Sequence, residues 1–307
     1  MKQSKKLVFF GNERLSSGYE ATGAPVLTGL INAGYEVVAV VANYEQGRSR
    51  KNRELEVAEV ANRHNIPLLL PDRPLEVISQ LKSFEAVAGV LAAYGKIVPQ
   101  TVIDVFPHGI LNIHPSLLPK YRGPTPIEQA MLDGATETGV TIMQLAKRMD
   151  AGPLYAQSVV PLTGNETKAT LTQRLIATGM ELLLGCLPRV INNELTPEPQ
   201  NETAATYCQL INKRDGVLDW QKPAIQLERE VRAYLGWPGS RTTLFEQELT
   251  VLAAEVSAET HPAGSTHKTT AGVIVGCGKQ SLLITKLRPS GRSSMSAVDF
   301  LRGLRTT

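Results

Sequence analysis

The stretch LNIHPSLLPKYRG, residues 111 to 123, places an asparagine and a histidine two residues apart in an otherwise apolar run. In an extended chain residues i and i+2 project to the same side. Asn112 and His114 therefore stand together where Pro115 ends the regular ladder, at positions a buried strand would give to Val or Ile. A third polar residue, Asp150, closes the run GVTIMQLAKRMDAG. Taken singly, each has a structural explanation, and an Asp before Ala-Gly is ordinarily a turn residue. Together they have a chemical logic. An Asn amide and an imidazolium both donate to an oxyanion, while a carboxylate orients the imidazole and favours its charged form. No serine or cysteine is placed as a nucleophile, so the trio suits acyl transfer to an incoming amine through a tetrahedral intermediate.

The elements that must position this trio alternate along the chain. KLVFFG and EVVAVVA flank the helix-compatible GAPVLTGLINAG, which makes a βαβ unit. RELEVAEVANRH carries Leu55, Val57, Ala58 and Ala61 at helical spacing. IPLLLP, LEVISQLK, AVAGVLAAYG, GILNIHPS and TGVTIMQLA continue the alternation. The expected fold class is α/β, a mostly parallel twisted sheet with helices on both faces. Ligands bind such sheets beyond the carboxyl ends of the strands, and all three polar residues are expected at strand ends. A helix over TLTQRLIATGMELLLGCLPRVINN, with Leu171, Leu175, Leu182, Cys186 and Val190 near one stripe, closes this part. The division expected is a first domain over 1–190, a polar Pro-containing linker over 191–206, and a small β-barrel, OB-like, over 207–307. The loop GNERLSSGYEATG after the first strand is not GxGxxG, and no P-loop occurs, which excludes nucleotide binding through those devices.

Composition is that of a globular chain: 307 residues, 42% hydrophobic and 20% charged, enough for two domains. Cys186, Cys208 and Cys277 are widely spaced, match no metal pattern and suit a reducing cytoplasm. The basic N-terminus is followed by an apolar run of only Leu7 to Phe10, too short for a signal segment or a membrane span, so a soluble protein is expected. A net charge of +3 does not by itself announce a nucleic-acid partner. Its distribution is uneven: QGRSRKNR holds four basic residues and no acid, and Lys268 to Thr307 holds seven against one. On their own, both clusters read as solvated surface.

From Leu111 to Gly152 the sequence resembles the active-site signature of the 10-formyltetrahydrofolate-dependent formyltransferases. The resemblance implies a Rossmann-like formyltransferase domain in which Asn112 and His114 hold the formyl oxygen. It implies that Asp150 orients His114 and relays protons, and that Ser116, Leu117, Leu118 and Pro119 lie in the folate site. AAYGKIVP resembles the loop that cradles the pteridine, which adds Tyr94 and Gly95. TYCQLINKRDGVLDWQKPAIQLEREVRAYLGWPGS and LLITKLRPSGRSSMSAVDFLRGLR are similar to the start and end of the C-terminal domain of methionyl-tRNA formyltransferases. A similar domain follows the catalytic unit in some amino-sugar formyltransferases, and the closing LRPSGRSSMSAVDFL is the more discriminating feature. That branch implies tRNA contacts from Arg48, Arg50, Lys51 and Arg53 in the basic loop and from Lys213 and Arg214 at the domain junction. The basic final segment would form a further phosphate-facing surface.

The activity implied is transfer of a formyl group from 10-formyltetrahydrofolate to the α-amine of methionyl initiator tRNA, for translation initiation. Folate would be the co-substrate, with no metal, no covalent enzyme intermediate, and no membrane or DNA partner, in a cytoplasmic monomer. An amino-sugar N-formyltransferase acting on a nucleotide-linked sugar is the alternative enzyme. A non-catalytic RNA-binding or folate-sensing protein is the alternative from another class. Two segments depart from the family pattern: GNERLSSGYEATGAP replaces a shorter Gly-Thr/Ser-Pro-x-Phe, and NYEQGRSRKN a longer Pro- and Arg-containing run.

Overall fold

Apolar runs rich in β-branched residues form the centre of the first sheet. The computed structural model describes residues 5–12, 23–43 and 55–304. The strands are β1 (Lys6–Gly11), β2 (Glu36–Val41), β3 (Leu68–Leu69), β4 (Ala88–Ala92), β5 (Ile110–His114), β6 (Glu137–Gln144) and β7 (Leu154–Pro161). They lie in the order β3-β2-β1-β4-β5-β6-β7. β1 to β5 run parallel, whereas β6 is antiparallel to β5 and β7 to β6. Every residue of β4 and β5 is buried, as expected of strands covered on both faces.

The helices are α1 (Pro25–Asn32), α2 (Glu56–Arg63), α3 (Ile78–Ser83), α4 (Gln100–Ile103), α5 (Pro126–Leu132) and α6 (Lys168–Ile191). α6 starts at a capping box between Thr167 and Thr170 and buries Leu171, Leu175, Leu183, Cys186 and Val190. Leu182, expected on that stripe, is only partly buried, and its neighbour Leu183 points inward. No helix among the described residues is long and apolar enough to cross a membrane.

Alternation along β5 sets up the site. Leu111 and Ile113 join the cluster that contains Leu27, Leu30, Leu171 and Leu175 from α1 and α6. Ile110 faces the other way, into a cluster with Phe10, Tyr94 and Phe106. Asn112 and His114 share the parity of Ile110 and carry that second face to the end of the strand. Each apolar side chain fully buried here contributes about 2 kcal/mol, so the two polar positions forgo that gain.

The second part begins with α7 (Ala224–Ala233) and continues as β8 (Ser240–Leu244), β9 (Gln247–Ser257), β10 (Thr266–Lys268), β11 (Val273–Gly276), β12 (Ser281–Pro289) and β13 (Met295–Ser296), closed by α8 (Ala297–Arg302). The strands form a curled antiparallel sheet in the order β10-β11-β12-β9-β8, with β13 on β12, a small barrel-like domain. Leu227 and Val231 of α7 and Phe300 of α8 pack into its core.

The two parts are locked by polar contacts. Lys168, at the start of α6, is wholly buried, lies 3.8 Å from the Glu128 carboxylate and donates to the Trp237 carbonyl oxygen at 2.9 Å. Arg232 of α7 donates to the Glu166 carbonyl oxygen at 2.8 Å. The polar segment 191–206 is also engaged. Glu198 and Leu154 exchange backbone hydrogen bonds of 2.7 and 2.8 Å, and the Arg122 amide donates to the Thr206 carbonyl oxygen at 2.9 Å.

Candidate active site

Asn112 and His114 end β5 side by side and are 6% and 5% exposed, close to core values. Asp150 joins them, but not from a strand end. Because β6 is antiparallel, its last residue, Gln144, pairs with Leu111 near the start of β5, whereas Thr141 pairs with His114. The loop after β6 must double back along the sheet to bring Asp150 Oδ1 to 3.8 Å from His114 Nδ1. At its tip Asp150 takes a left-handed backbone conformation, φ 49°. Gly123 N donates to Asp150 Oδ2 at 2.8 Å. Gly123 itself has φ 116°, and a Cβ there would lie 2.6 Å from the Cys208 carbonyl oxygen, so the residue must be glycine.

The bond that orients the histidine ring comes from elsewhere than the resemblance implies. His114 Nε2 lies 2.9 Å from the Tyr121 carbonyl oxygen. A carbonyl can only accept, so Nε2 carries a proton, and Nδ1 faces Asp150. At 3.8 Å the Asp150 carboxylate makes no direct hydrogen bond to the ring. Asn112 differs from both. Its amide makes no hydrogen bond to any described residue, although it is nearly buried.

These three side chains open onto a cavity of about 500 Å³. Its wall includes Tyr94, Gly95, Lys96, Leu145 and Lys147, and its rim carries the strongly exposed Ile97, Met149 and Leu210. Leu210 follows the polar segment, so the second part of the chain completes the wall. The Tyr94 phenol is pushed up to about 12 by burial and stays protonated. Its hydroxyl is buried without a hydrogen-bond partner among the described residues. The Lys96 ammonium is held by the Pro71 and Asp72 carbonyl oxygens at 2.9 Å.

Of the expected donor-site residues, Tyr94 and Gly95 stand on this wall, and Ser116, Leu117, Leu118 and Pro119 do not. The SLLP turn lies behind the trio. Ser116 Oγ donates to the Lys120 carbonyl oxygen at 2.6 Å, while Thr141 Oγ1 donates to Ser116 O at 2.7 Å and accepts from Leu118 N at 3.1 Å. Leu117 lines a separate cavity of about 210 Å³ with Lys120 and Tyr121. The turn's hydrogen bonds run to Lys120, Thr141 and Gln157, and Pro115, just before it, stands on the main cavity. Lys213 and Arg214 are exposed on a single helical turn just after Leu210. Arg48, Arg50, Lys51 and Arg53 lie outside the described residues.

A network around Arg122 carries no sequence pattern and was not foreseen. Its side chain is fully buried and donates to Gln200 Oε1 from Nε (3.1 Å) and Nη2 (2.7 Å). It also donates to both Glu202 oxygens, at 3.2 and 2.8 Å, and to the Tyr207 hydroxyl at 3.1 Å. The Arg122 hydrogen bonds, with help from Arg148, hold the Glu202 carboxyl down at about 2. A carboxylate depressed in the folded state stabilises it above the ordinary value of 4.5, and that stability is lost as pH falls from there towards 2. Glu202→Gln should therefore flatten this part of the acid-unfolding curve, read by circular dichroism against pH. An unchanged curve would show that the pair does not couple to folding.

The formyl transferase family profile matches residues 12–187, over the sheet that carries the trio, and the profile of the formyl transferase C-terminal domain matches 210–305. A methionyl-tRNA formyltransferase of Roseiflexus castenholzii is 37% identical over 311 residues, covering 99% of this chain and 97% of the relative. Another, from Chloroflexus aurantiacus, is 40% identical over 291 residues, covering 91% and 92%. A solved N-formyltransferase from Helicobacter canadensis, in complex with folinic acid and dTDP-3-aminofucose, shares the fold with a TM-score of 0.67. It is 17% identical and covers 91% of this chain and 97% of its own. With one profile spanning more than half its length and relatives aligned almost end to end, the chain belongs to the formyl transferase family.

Proposed function

We propose that this protein transfers a formyl group from 10-formyltetrahydrofolate to the α-amine of methionine on initiator tRNA, in the cytoplasm. In this reading residues 1–190 hold the catalytic site, 191–206 connect it, and 207–307 bind the tRNA. The observation that carries the chemistry is the nearly buried Asn112, whose amide has no hydrogen-bond partner among the described residues, beside His114 and Asp150. Asn112 lines the open cavity, which makes sense where a reacting oxygen supplies the acceptor for its N–H.

The folate supplies the formyl carbon. Asn112 Nδ2 and the His114 ring hold the oxygen that gains negative charge as the amine adds. Tyr121 O keeps the ring in plane through Nε2. Asp150, anchored through Oδ2, faces His114 with Oδ1. It takes up the proton that the adding amine loses and returns it to the nitrogen that departs. The largely apolar wall and the unpaired Tyr94 hydroxyl suit a flat heteroaromatic donor.

Support for the tRNA acceptor comes from relatives named for it along nearly the whole chain and from charge placement. Lys286 and Arg288 are exposed on β12, alternating with buried Leu287 and Pro289. Lys213 and Arg214 are exposed close to Leu210 on the cavity rim. The test mixes the protein and 10-formyltetrahydrofolate with methionyl initiator tRNA and, separately, with elongator methionyl-tRNA, following acid-stable formylmethionine. Rapid formylation of the initiator alone is expected, with log affinity falling linearly against log salt. No product on either RNA, or an affinity indifferent to salt, would overturn the reading.

A further inference from the structure

The loop that delivers Asp150 has an unusual task. It leaves β6 at the far end of β5, returns along the sheet, and turns at Asp150 in a left-handed conformation, φ 49°, which aspartate tolerates better than most side chains but which still costs more than an extended or right-handed backbone. Such a turn persists only if its surroundings hold it. Its carboxylate is held by Gly123 N. Its main chain is held by one side chain: Gln200 Nε2 donates to Asp150 O at 2.8 Å and to Gly152 O at 2.7 Å. The far end of the same amide accepts from Arg122 Nε and Nη2. Because a guanidinium only donates, the Gln200 oxygen must face Arg122 and the NH₂ must face the two carbonyls. The amide therefore has one possible orientation, and both ends are satisfied in it.

We infer that Gln200 is a positioning residue for the reaction: from the segment between the two sheets, it sets the main chain of Asp150 and thereby the approach of Oδ1 to His114 Nδ1. The inference rests on the formyl-transfer reading for its rate effect, though not for its geometry. A loosened Asp150 tip lets the carboxylate pivot about its Gly123 contact, and misplacement of about 1 Å in a reacting group is enough to lower a rate 10²-fold.

Gln200→Glu is the discriminating variant. Its carboxylate still accepts from Arg122 but cannot donate to the Asp150 and Gly152 carbonyls. Turnover is expected to fall about 10–100-fold, with KM for donor and acceptor changed by less than about threefold. Gln200→Met, of similar size and without an amide, should show the same split and decides the matter if the Glu variant does not fold. Glu202→Gln loosens the same segment from Arg122 without touching Asp150, and should keep kcat within about threefold. A second readout needs no substrate: the ¹⁵N signals of the His114 ring should move in Gln200→Glu and stay in place in Glu202→Gln. If the wild type transfers no formyl group, the functional reading fails alone and the ring signals still test the inference. Gln200 variants with normal kcat and unmoved ring signals, or a Glu202→Gln variant as slow as Gln200→Glu, would overturn it.

Discussion

Replacing Asn112 with alanine should lower kcat by about 10²–10³-fold, the usual loss when one oxyanion donor is removed, while thermal stability hardly changes. The two halves of this expectation have one cause. The amide makes no hydrogen bond within the described protein, so folding gains nothing from it. On the cavity wall, a reacting oxygen can use its N–H. An ordinary buried asparagine behaves in the opposite way, with large stability loss and no direct effect on chemistry. Steady-state kinetics and a thermal melt on the same sample separate the cases. His114→Ala and Asp150→Asn should each be slow as well, because proton handling needs both groups. Near-normal turnover in either would show that the trio is not the catalytic apparatus.

The second large effect is on stability. Arg122→Ala should cost about 2–3 kcal/mol, measured by urea unfolding at neutral pH. All the donors of a fully buried guanidinium disappear at once, and Gln200 Oε1 loses both of its contacts. Breaking a fully buried ion pair costs about 3–5 kcal/mol. The figure here is lower because the Glu202 side chain is half exposed and water takes over its carboxylate. Arg122→Lys should recover only part of the loss, since one ammonium cannot reproduce a fork that reaches three partners. A loss below about 0.5 kcal/mol for the alanine variant, the range of ordinary surface changes, would mean that the network is incidental.

Much of this was legible in the residues because periodicity survives folding. KLVFFG, EVVAVVA, AVAGVLAAYG and GILNIHPS become β1, β2, β4 and β5, and the two-residue spacing of Asn112 and His114 does put both on one face. Direction was harder to read. TGVTIMQLA is an apolar run whether it pairs parallel or antiparallel, so Asp150 was expected at a strand end and instead sits on a returning loop. The SLLP turn was expected in the folate site and stands off the wall of the main cavity, because turn residues signal a bend and not the side on which it faces. Arg122 and Gln200 gave no sign at all. One sits in a turn and the other in a polar, Pro-containing stretch, and the bonds between them span 78 positions of sequence. Polar networks of that range have no local signature.

The engagement of the segment after α6 also implies an order of assembly. The chain emerges from the ribosome N-terminus first, and its early elements begin to fold before later ones exist. Asn112, His114 and Asp150 are all synthesised before α6 is complete. The groups that brace their surroundings come later: Glu198 on Leu154, Gln200 on the Asp150 turn, Glu202 on Arg122, and Thr206 and Cys208 against the Tyr121–Gly123 turn. A nascent chain that has just finished α6 carries every reacting side chain with its Tyr121 and Gly123 contacts, but not the brace on the Asp150 main chain or on Arg122. Completion of the first part thus waits on residues translated after it, in the segment between the two parts.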